Sequence, residues 1–443
     1  MKLYTQFKKT CDKHPHNIAL VSANREITYS ASLNIINELS TLLNEQGKSC
    51  IIYLDKNEYS VLWQLSINKS KNVFTSIDIS TPLNRVIDII EQNETKWIIC
   101  SPTIDLSNIK GSYLKYSSPL FNIWETAYNK SYFDITHIYF SSGSTGKPKG
   151  IYLSDNAIPE VVLEQAKMIN ITSDSNFAWL LSPSFDASLS DIYSTLFSGA
   201  TLHICSFTQN KTKTLLEYFN TNRITHSDIS PSVLPLLEPT AFTSLEAVIF
   251  GGEVGNEDII QKWASYINMF NAYGPTEATI CSSFKKVDQS WTADNIGKPL
   301  KGVEYIISDD NELHIAGSHV CIGYNQDILN NKFYFIGDKK LYKTGDLVKK
   351  HNDEYFFLGR KDRQFKNNGV LISPEEIEKS LLKLGCKESL CKKEDKFILF
   401  YVGDFSISDI RKHLLDSFNK NMIPSIIKQV PSLPKNINGK IKI

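Results

Sequence analysis

Short apolar runs alternate with helical patterns along the first two-thirds of the chain, and this alternation limits the possible folds more than any other feature. Apolar runs of strand length occupy residues 17–22, 50–54, 97–100, 135–140, 178–182, 201–205 and 247–251. Helical spacing of apolar residues occupies 32–46, 158–169, 215–220 and 258–266. Strands that alternate with helices are typical of α/β layers with largely parallel sheets. We therefore predict an α/β fold for this part of the chain.

The last third of the chain has a different pattern. Residues 302–355 contain shorter β-like segments and turn signals, which favour a small antiparallel β sub-barrel over βαβ units. A boundary is expected near residues 359–362, where mixed helix and strand patterns begin. We predict a large N-terminal domain of two mixed, mainly parallel sheets plus the sub-barrel over residues 1–361. Residues 362–443 are predicted to form a small α+β C-terminal domain.

Charge, cysteine content and the lack of long apolar runs indicate which partners and which cellular compartment to expect. Forty-eight basic residues balance 48 acidic ones, so nothing in the charge favours nucleic acid or an anionic membrane as partner. The eight cysteines have no CxxC spacing, which fits reduced thiols in a cytosolic protein. No apolar run reaches the roughly 18–20 residues of a membrane helix, and the N-terminus lacks the apolar core of a signal peptide. We expect a cytoplasmic protein.

A loop rich in glycine and hydroxyl residues follows one predicted strand. Residues 139–150 read YFSSGSTGKPKG. Glycines let a backbone approach an anion closely, hydroxyls and backbone N–H groups donate to phosphate oxygens, and lysines add charge. The loop differs from the Walker type because Lys147 is followed by Pro148 rather than by Ser or Thr. The pattern predicts a phosphate-binding loop with these candidate residues: Ser141, Ser142, Gly143, Ser144, Thr145, Gly146, Lys147 and Lys149.

Further motifs follow in a fixed order: NAYGPTE at 271–277, YKTGD at 342–346, GRKDRQ at 359–364 and PKNINGK at 434–440. Together with the loop, they resemble the motifs of the acyl- and aminoacyl-adenylating superfamily. That superfamily includes adenylation domains of nonribosomal peptide synthetases, D-alanine–carrier protein ligases, acyl-CoA synthetases and luciferases. The chain most resembles a stand-alone adenylation domain. The resemblance implies ATP and Mg²⁺ as cofactors.

The resemblance also implies roles for individual residues in nucleotide binding. Asn271 would bond the adenine amino group, with Ala272 and Gly274 beside it, and Tyr273 would stack on the ring. The ribose hydroxyls would be bound by Asp346 with Arg360 alongside. Phe357 stands where the family often has tyrosine, so a hydroxyl contribution is lost there.

The catalytic roles implied by the resemblance involve both predicted domains. Thr276 would contact the γ-phosphate, and Glu277 would hold Mg²⁺, a cation that prefers oxygen ligands. Lys440 would lie between the substrate carboxylate and the α-phosphate. The C-terminal domain would be a mobile lid that swings about Asp362, after which Lys366 would face the nucleotide or a pantetheine arm.

Asp186, in the motif FDAS at 185–188, is the residue that indicates the class of substrate. In amino-acid-activating members this aspartate pairs with the substrate α-ammonium, and a carboxylate in an acid-binding pocket is costly without a cation. By resemblance, the pocket is lined by Ala187, Ser190, Asp228, Ile249, Gly251, Ala272, Ile280 and Cys281. This lining is similar to that of phenylalanine- and tyrosine-activating domains. Ser190, Gly251 and Asp228 depart from it and suggest a deeper cavity with a hydrogen-bond acceptor.

Several alternatives stay open. The favoured substrate is tyrosine or a similar ring with a donor group for Asp228. Asp228 could instead be turned away, or pair with a neighbour such as His226, and the pocket would then be merely apolar. The favoured acceptor is the phosphopantetheine thiol of a separate carrier protein. A D-alanine–carrier protein ligase, an acyl-CoA synthetase and a non-catalytic binding protein on the same fold are the other possibilities.

Overall fold

The computed structural model describes residues 3–23, 25–141, 148–154, 156–205, 212–367 and 369–434. Its α-helices, numbered in chain order, are α1 (Leu3–Lys13), α2 (Tyr29–Ser40), α3 (Glu58–Lys69), α4 (Leu83–Gln92), α5 (Ala157–Met168), α6 (Ala187–Ser198), α7 (Thr212–Thr221), α8 (Glu257–Ala264), α9 (Pro374–Leu384) and α10 (Ile407–Ser417).

The first of two eight-stranded sheets is mostly parallel. Its strands, numbered in chain order through the whole molecule, are β1 (Ile18–Ser22), β2 (Arg25–Thr28), β10 (Asn176–Trp179), β11 (Thr201–Ile204), β12 (His226–Asp228), β13 (Ala247–Gly251), β14 (Asn268–Tyr273) and β15 (Ser283–Lys286). They lie in the order β15-β14-β13-β12-β10-β11-β1-β2, and only the two outermost pairs are antiparallel. The carboxyl ends of β10, β12, β13 and β14 therefore meet at one edge, the place where α/β sheets bind ligands.

The second eight-stranded sheet is mixed. Its strands are β3 (Ser49–Tyr53), β4 (Val73–Ser76), β5 (Trp97–Cys100), β6 (Tyr113–Ser117), β7 (Asn122–Glu125), β8 (His137–Ser141), β9 (Lys149–Leu153) and β19 (Gly323–Tyr324). They lie in the order β19-β9-β8-β4-β3-β5-β7-β6. The inner strands β3, β4, β5 and β8 are parallel to their neighbours in this group, and the outer strands are antiparallel.

A layer of helices separates the two large sheets. α6 packs on β10 and β11, while α3 packs on β3, β4 and β1. The largest apolar cluster accordingly joins side chains from both sheets, such as Ile52 and Phe177, with helical residues such as Trp63 and Leu189. Separate clusters cover the outer faces of the sheets. Strands that are covered on both faces need continuous apolar runs, which is why these runs were visible in the sequence.

The smaller elements lie beyond the two large sheets. An antiparallel sheet contains β16 (Asn295–Gly297), β17 (Val303–Ile307), β18 (Glu312–Gly317), β20 (Phe333–Ile336), β21 (Lys339–His351) and β22 (Glu354–Arg360). The C-terminal part contains β23 (Phe365–Asn367), β24 (Val370–Ile372), β25 (Glu388–Lys393), β26 (Phe397–Val402) and β27 (Ile426–Gln429), together with α9 and α10. The side chains of its apolar cluster all come from this C-terminal part of the chain. The predicted α/β class, the antiparallel segment and the smaller C-terminal part are confirmed.

The helix predicted at 32–46 is shifted towards the N-terminus, since α2 spans Tyr29–Ser40. Thr28 caps its start by accepting a hydrogen bond from the amide of Ala31. At its end, the hydroxyls of Ser40 and Thr41 donate to the carbonyls of Asn37 and Glu38, 2.8 Å and 2.7 Å away. Local hydroxyl bonds of this kind compete with helix continuation, so the apolar spacing beyond residue 41 does not extend the helix.

Two further findings bear on the class of protein. Among the described helices, none is both long and apolar enough to cross a lipid bilayer. All eight cysteines are buried and none forms a disulfide.

Candidate active site

The predicted phosphate-binding loop joins two antiparallel strands. In the register of β8 and β9, Ser141 lies opposite Lys149. The Oγ atom of Ser141 is buried and has no hydrogen-bond partner among the described residues. Seven predicted residues lie outside the described residues: Ser142, Gly143, Ser144, Thr145, Gly146, Lys147 and, from the C-terminal motif, Lys440.

Glu277 is the predicted magnesium ligand, and it lies beside this loop in an ionised state. Its Oε1 accepts from the Lys149 ammonium at 3.0 Å and from the Tyr324 hydroxyl at 2.6 Å. Burial alone would raise the pKa of Glu277, but the charge of Lys149 and these hydrogen bonds lower it to about 2. Since both bonds use Oε1, Oε2 is the oxygen that could meet a cation. A single carboxylate fits Mg²⁺, which keeps water and phosphate oxygens as its other ligands.

The residues predicted to bind adenosine are held by hydrogen bonds and one ion pair. The Asn271 amide donates to the carbonyl of Asn295 at 3.0 Å, which leaves its side-chain oxygen to accept from an amino group. Tyr273 donates its hydroxyl to Asp346 Oδ2 at 2.6 Å, and the other carboxylate oxygen of Asp346 pairs with Arg360. Asp346 and Arg360 lie opposite each other on β21 and β22. The pairing fixes the carboxylate where two ribose hydroxyls could donate to it.

Three other predicted residues of the nucleotide site have backbone or packing roles. Gly274 lies so close to Cys281 that a Cβ atom there would be 2.6 Å from the Cα of Cys281, and only glycine fits this approach. Ala272 lies next to Gly251 in the register of β14 and β13. Phe357 packs against the apolar cluster of the antiparallel sheet.

Asp186, the predicted ammonium ligand, immediately precedes α6 and is partly exposed. Its Oδ2 accepts from the backbone N–H of Ile280 at 3.2 Å. Burial raises the pKa of Asp186 to about 6, although a hydrogen bond from Thr276 and the charge of Lys366 act in the opposite direction. The charge of Glu277 also reaches Asp186 and adds to the rise. Asp186, the predicted ammonium ligand, and Glu277, the predicted magnesium ligand, are therefore close enough for their charges to interact.

Lys366 brings the C-terminal part into the same cleft. Burial lowers the pKa of Lys366, while the carboxylates of Asp346 and Asp186 act to raise it. Close by, Gly369 approaches Gly252, where an added Cβ atom would lie 3.6 Å from the Cα of Gly369. Asp362, the predicted hinge, accepts from Arg360 Nε at 2.8 Å. The predicted ribose carboxylate Asp346 and the predicted substrate carboxylate Asp186 therefore both act on the charge of Lys366.

The predicted pocket lining comes together at the carboxyl ends of the parallel strands. Asp228 is paired in register with Ile249, and Gly251 with Ala272. A Cβ atom on Gly251 would lie 2.3 Å from the carbonyl oxygen of Ala272, so the backbone itself excludes alanine there. The remaining members are Ala187 and Ser190 on α6, and Ile280 and Cys281 after β14.

Gln165 on α5 is a member of this pocket that the sequence analysis missed. It accepts from the Ser190 hydroxyl at 2.5 Å and donates to the Cys281 sulfur at 3.2 Å, so it joins two lining residues. The available signal was a polar residue on the buried face of α5, which otherwise carries Ile158, Val161 and Val162. Tyr324, which bonds Glu277, was missed because it lies 47 residues farther along the chain.

Asp228 does not pair with His226. The Nε2 atom of His226 lies 2.9 Å from the carbonyl oxygen of Ile169, and Nδ1 lies 2.8 Å from the hydroxyl of Thr225. Both ring nitrogens are therefore occupied, and the pairing considered above is wrong. Burial raises the pKa of Asp228 to about 7.

The sequence is similar to one family model and to curated proteins. The family model described as AMP-binding enzyme matches residues 7–324. Tyrocidine synthase 2 of Brevibacillus parabrevis is 27% identical over 98% of this chain. The chain spans only 13–44% of the length of the first curated relatives that it matches.

Solved structures share the fold. NpsA-ThdA, an artificially fused adenylation-PCP di-domain from Klebsiella oxytoca, has a TM-score of 0.84 at 20% identity, covering 96% of this chain and 93% of the other. A double mutant of o-succinylbenzoate CoA synthetase from Bacillus subtilis also has a TM-score of 0.84, at 17% identity over 100% and 97% of the two chains.

Proposed function

The chain belongs to the AMP-binding enzyme family, and we propose that it adenylates an amino acid with ATP and then transfers the aminoacyl group to a thiol. The first step would give aminoacyl-AMP and pyrophosphate. The second would give a thioester on the phosphopantetheine arm of a separate carrier protein. We place this reaction in the cytoplasm, and we place the boundary between the adenylating core and the lid at residues 361 and 362.

The observation that carries this proposal is the position of Asp186. Asp186 is partly exposed, and its carboxylate accepts one backbone hydrogen bond and lies within the field of Lys366. A partly buried carboxylate with a raised pKa is stabilised by an incoming cation. An α-ammonium group bound there would be held close to Glu277, whose charge reaches Asp186. A plain fatty or aryl acid would bring no cation to Asp186.

The first step brings two anions together and needs no protein nucleophile. A substrate carboxylate oxygen forms a bond to the α-phosphorus, while the bond from that phosphorus to the pyrophosphate oxygen breaks. Asp346 and Arg360 would hold the ribose, and Glu277 would hold Mg²⁺, which supplies positive charge to the phosphate oxygens when bound. Lys440 is assigned to the same charge neutralisation by family resemblance. Positioning and electrostatics would account for the rate.

The second step exchanges AMP for a thiol. The sulfur forms a bond to the acyl carbon, the bond from that carbon to the AMP oxygen breaks, and the thiol proton passes to water. The charges of Asp346 and Asp186 both act on Lys366, which supports the assignment of Lys366 as the cation that would stabilise the leaving phosphate. We assign this arrangement of the lid to the transfer step.

We propose an aromatic substrate with a hydrogen-bond donor on its ring, with tyrosine as the first choice. The pocket residues Ile249, Ala272 and Ile280 are apolar, and Asp228 supplies an acceptor among them. A buried acceptor disfavours a purely apolar side chain, because its carboxylate would lose water without gaining a partner.

Amino-acid-dependent exchange of labelled pyrophosphate into ATP tests the proposal. We expect exchange with tyrosine in the wild type and a loss of at least about 100-fold in kcat/KM for Asp186→Asn, since a charged hydrogen-bonded contact is removed. The exposed Asp174→Asn variant is the matched control and should exchange normally. Exchange with acids that lack an amino group, or none with any amino acid, would overturn the proposal. Transfer to a carrier protein compared with CoA identifies the thiol.

A further inference from the structure

The segment 180–186 joins β10 to α6, and Asp186 is its last residue. The segment has no helix or strand of its own. A binding residue on an irregular segment keeps its position only if the surrounding scaffold holds that segment. Asp186 itself accepts one hydrogen bond from the backbone N–H of Ile280, at 3.2 Å. Its position therefore also depends on the contacts that hold residues 180–186.

Asp78 holds this segment from the second large sheet. It lies two residues beyond the end of β4. Its Oδ2 accepts from the Ser182 hydroxyl at 2.6 Å, and its backbone N–H donates to the Ser184 hydroxyl at 2.7 Å. A hydroxyl contact of 2.6 Å is typical of an ionised carboxylate as acceptor. Asp78 thus grips the segment four and two residues before Asp186.

Asp78 is itself held by the turn that follows β4. Its Oδ1 accepts from the backbone N–H and the hydroxyl of Ser80, at 3.0 Å and 2.7 Å. Its carbonyl accepts from the N–H of Thr81 at 2.9 Å, and the Tyr53 hydroxyl donates to the carbonyl of Thr81 at 2.8 Å. One carboxylate oxygen therefore fixes the local turn, while the other reaches across to Ser182.

Ser182 passes the position of Asp78 on towards Asp186. The carbonyl of Ser182 accepts from the N–H of Phe185 at 3.1 Å, and its hydroxyl accepts from the N–H of Ser184 at 3.3 Å. Phe185 directly precedes Asp186, so a displacement of Ser182 would displace Asp186 as well. At the other end of the segment, the Lys56 ammonium donates to the carbonyl of Trp179 at 2.7 Å. Both ends are therefore held by residues of the second sheet.

We propose that Asp78 is a positioning residue that holds Asp186 where it can pair with the α-ammonium of the substrate. The proposal rests on the amino-acid adenylation proposed above. Asp78 acts through Ser182 and Ser184 and does not itself bind the substrate. A misplacement of about 1 Å in a binding group can cost about 100-fold in activity. The loss of Asp78 should therefore weaken the amino-acid site selectively.

The experiment varies the amino acid and ATP separately in pyrophosphate exchange with the full chain, using the amino acid that the wild type exchanges fastest. Asp78→Ala should raise KM for the amino acid by at least about tenfold. KM for ATP should stay within about twofold, because the contacts described above lead to Asp186 and not to Asp346. Asp78→Asn should keep the amino-acid KM within about threefold, since an amide can accept from Ser80 and donate to the Ser182 hydroxyl.

Two comparisons separate positioning from a structural role. In an Asp186→Asn background, Asp78→Ala should cost less than about twofold in kcat/KM, because residues that act through one another are not additive. Asp105→Ala is the matched control. The carboxylate of Asp105 accepts from the N–H and the hydroxyl of Ser107, at 2.9 Å and 3.1 Å, and it lies in an exposed loop. This variant loses the same kind of local turn and should exchange normally.

Ser182→Ala serves as a second variant if Asp78→Ala does not fold. It leaves the turn at Ser80 in place and should raise the same KM by at least about threefold. An unchanged amino-acid KM in the variants that fold overturns the inference and leaves the adenylation proposal intact. Equal rises in both KM values, or an undiminished cost in the Asp186→Asn background, also overturn it. A wild type that shows no exchange with any amino acid overturns both proposals.

Discussion

Arg85 Nη1 lies 3.2 Å from Glu376 Oε1, and this ion pair joins α4 of the large N-terminal part to α9 of the C-terminal part. The side chain of Glu376 is 1% exposed and that of Arg85 is 13% exposed. The Arg85 guanidinium also lies 5.8 Å from the centroid of the Phe418 ring. The contact therefore fixes the orientation in which Lys366 faces the cleft.

Glu376→Gln should impair transfer to the thiol while leaving adenylation intact. Removing one charge of a buried pair costs about 3–5 kcal/mol, and here the cost falls on one orientation of the lid. We expect the transfer rate to drop by at least about tenfold in single-turnover assays of thioester formation. Pyrophosphate exchange should stay within about twofold. Glu304→Gln, which removes one charge of the exposed pair with Lys339, is the control. Equal losses of adenylation and of thiol transfer in Glu376→Gln would contradict the assignment of this lid orientation to the transfer step.

Asp186→Asn should stabilise the free enzyme at neutral pH. The pKa of Asp186 is raised from 3.8 to about 6, so the folded state binds this proton more tightly than the unfolded state does. Ionisation of Asp186 therefore costs stability as pH rises from 3.8 towards 6, and the penalty is complete above 6. Discounted for partial exposure, the variant should gain about 1–2 kcal/mol at pH 7.5. Urea unfolding at pH 7.5 and pH 4 measures this gain, which should disappear at the lower pH.

The same carboxylate should make amino-acid binding depend on pH. Below about pH 6, Asp186 is protonated in the free enzyme and cannot pair with an α-ammonium. KM for the amino acid should rise as pH falls from 7.5 to 5 by about tenfold per pH unit below that pKa, while KM for ATP changes less. A KM that is flat over this range would contradict the role of Asp186.

Lys149→Met should destabilise the fold and weaken adenylation. The variant leaves the buried Glu277 without its ammonium partner, which costs about 3–5 kcal/mol. Because the pKa of Glu277 is lowered from 4.5 to about 2, the pair stabilises the wild type above pH 4.5 and loses its effect as pH falls towards 2. The difference in unfolding free energy should therefore shrink in that window. Lys339→Met, in an exposed pair, should cost less than about 1 kcal/mol; a similar cost for both would refute the argument.

Gly251→Ala should damage the pocket through the backbone. The new methyl group would lie 2.3 Å from the carbonyl oxygen of Ala272 and must displace β14. We expect a loss of about 1–3 kcal/mol in unfolding free energy, with a raised KM for the amino acid. Gly403→Ala is the control, since its methyl group would lie 3.4 Å from the Cα of Cys386, an ordinary contact. A stable, fully active Gly251→Ala variant would show that the strand can yield.

Local features of the sequence predicted much of the fold and part of the site. The apolar runs of β3 and β5 marked parallel strands because both faces of their sheet are covered. The roles of Asp186, Glu277, Asp346 and Arg360 were all assigned from motif resemblance. The structure adds that Asp346 and Arg360 lie opposite each other in one hairpin.

What the sequence could not supply was pairing across long separations. Arg85 meets Glu376 across 291 residues, and Gln165 meets Cys281 across 116. No local periodicity encodes such contacts, because they depend on how the sheets and the lid pack. The complete burial of Asp191 could not be read from the sequence for the same reason, because it arises only once α6 packs against its neighbours.

The burial of all eight cysteines makes the native surface inert to thiol reagents. Burial also raises thiol pKa values, to about 12 for Cys100 and Cys205, so few reactive thiolates form. Cysteines introduced at the exposed Asp174 and Lys412 would then be the sites that take maleimide dyes. Fluorescence energy transfer between them would follow the lid relative to the core during turnover, with no need to remove a native cysteine first.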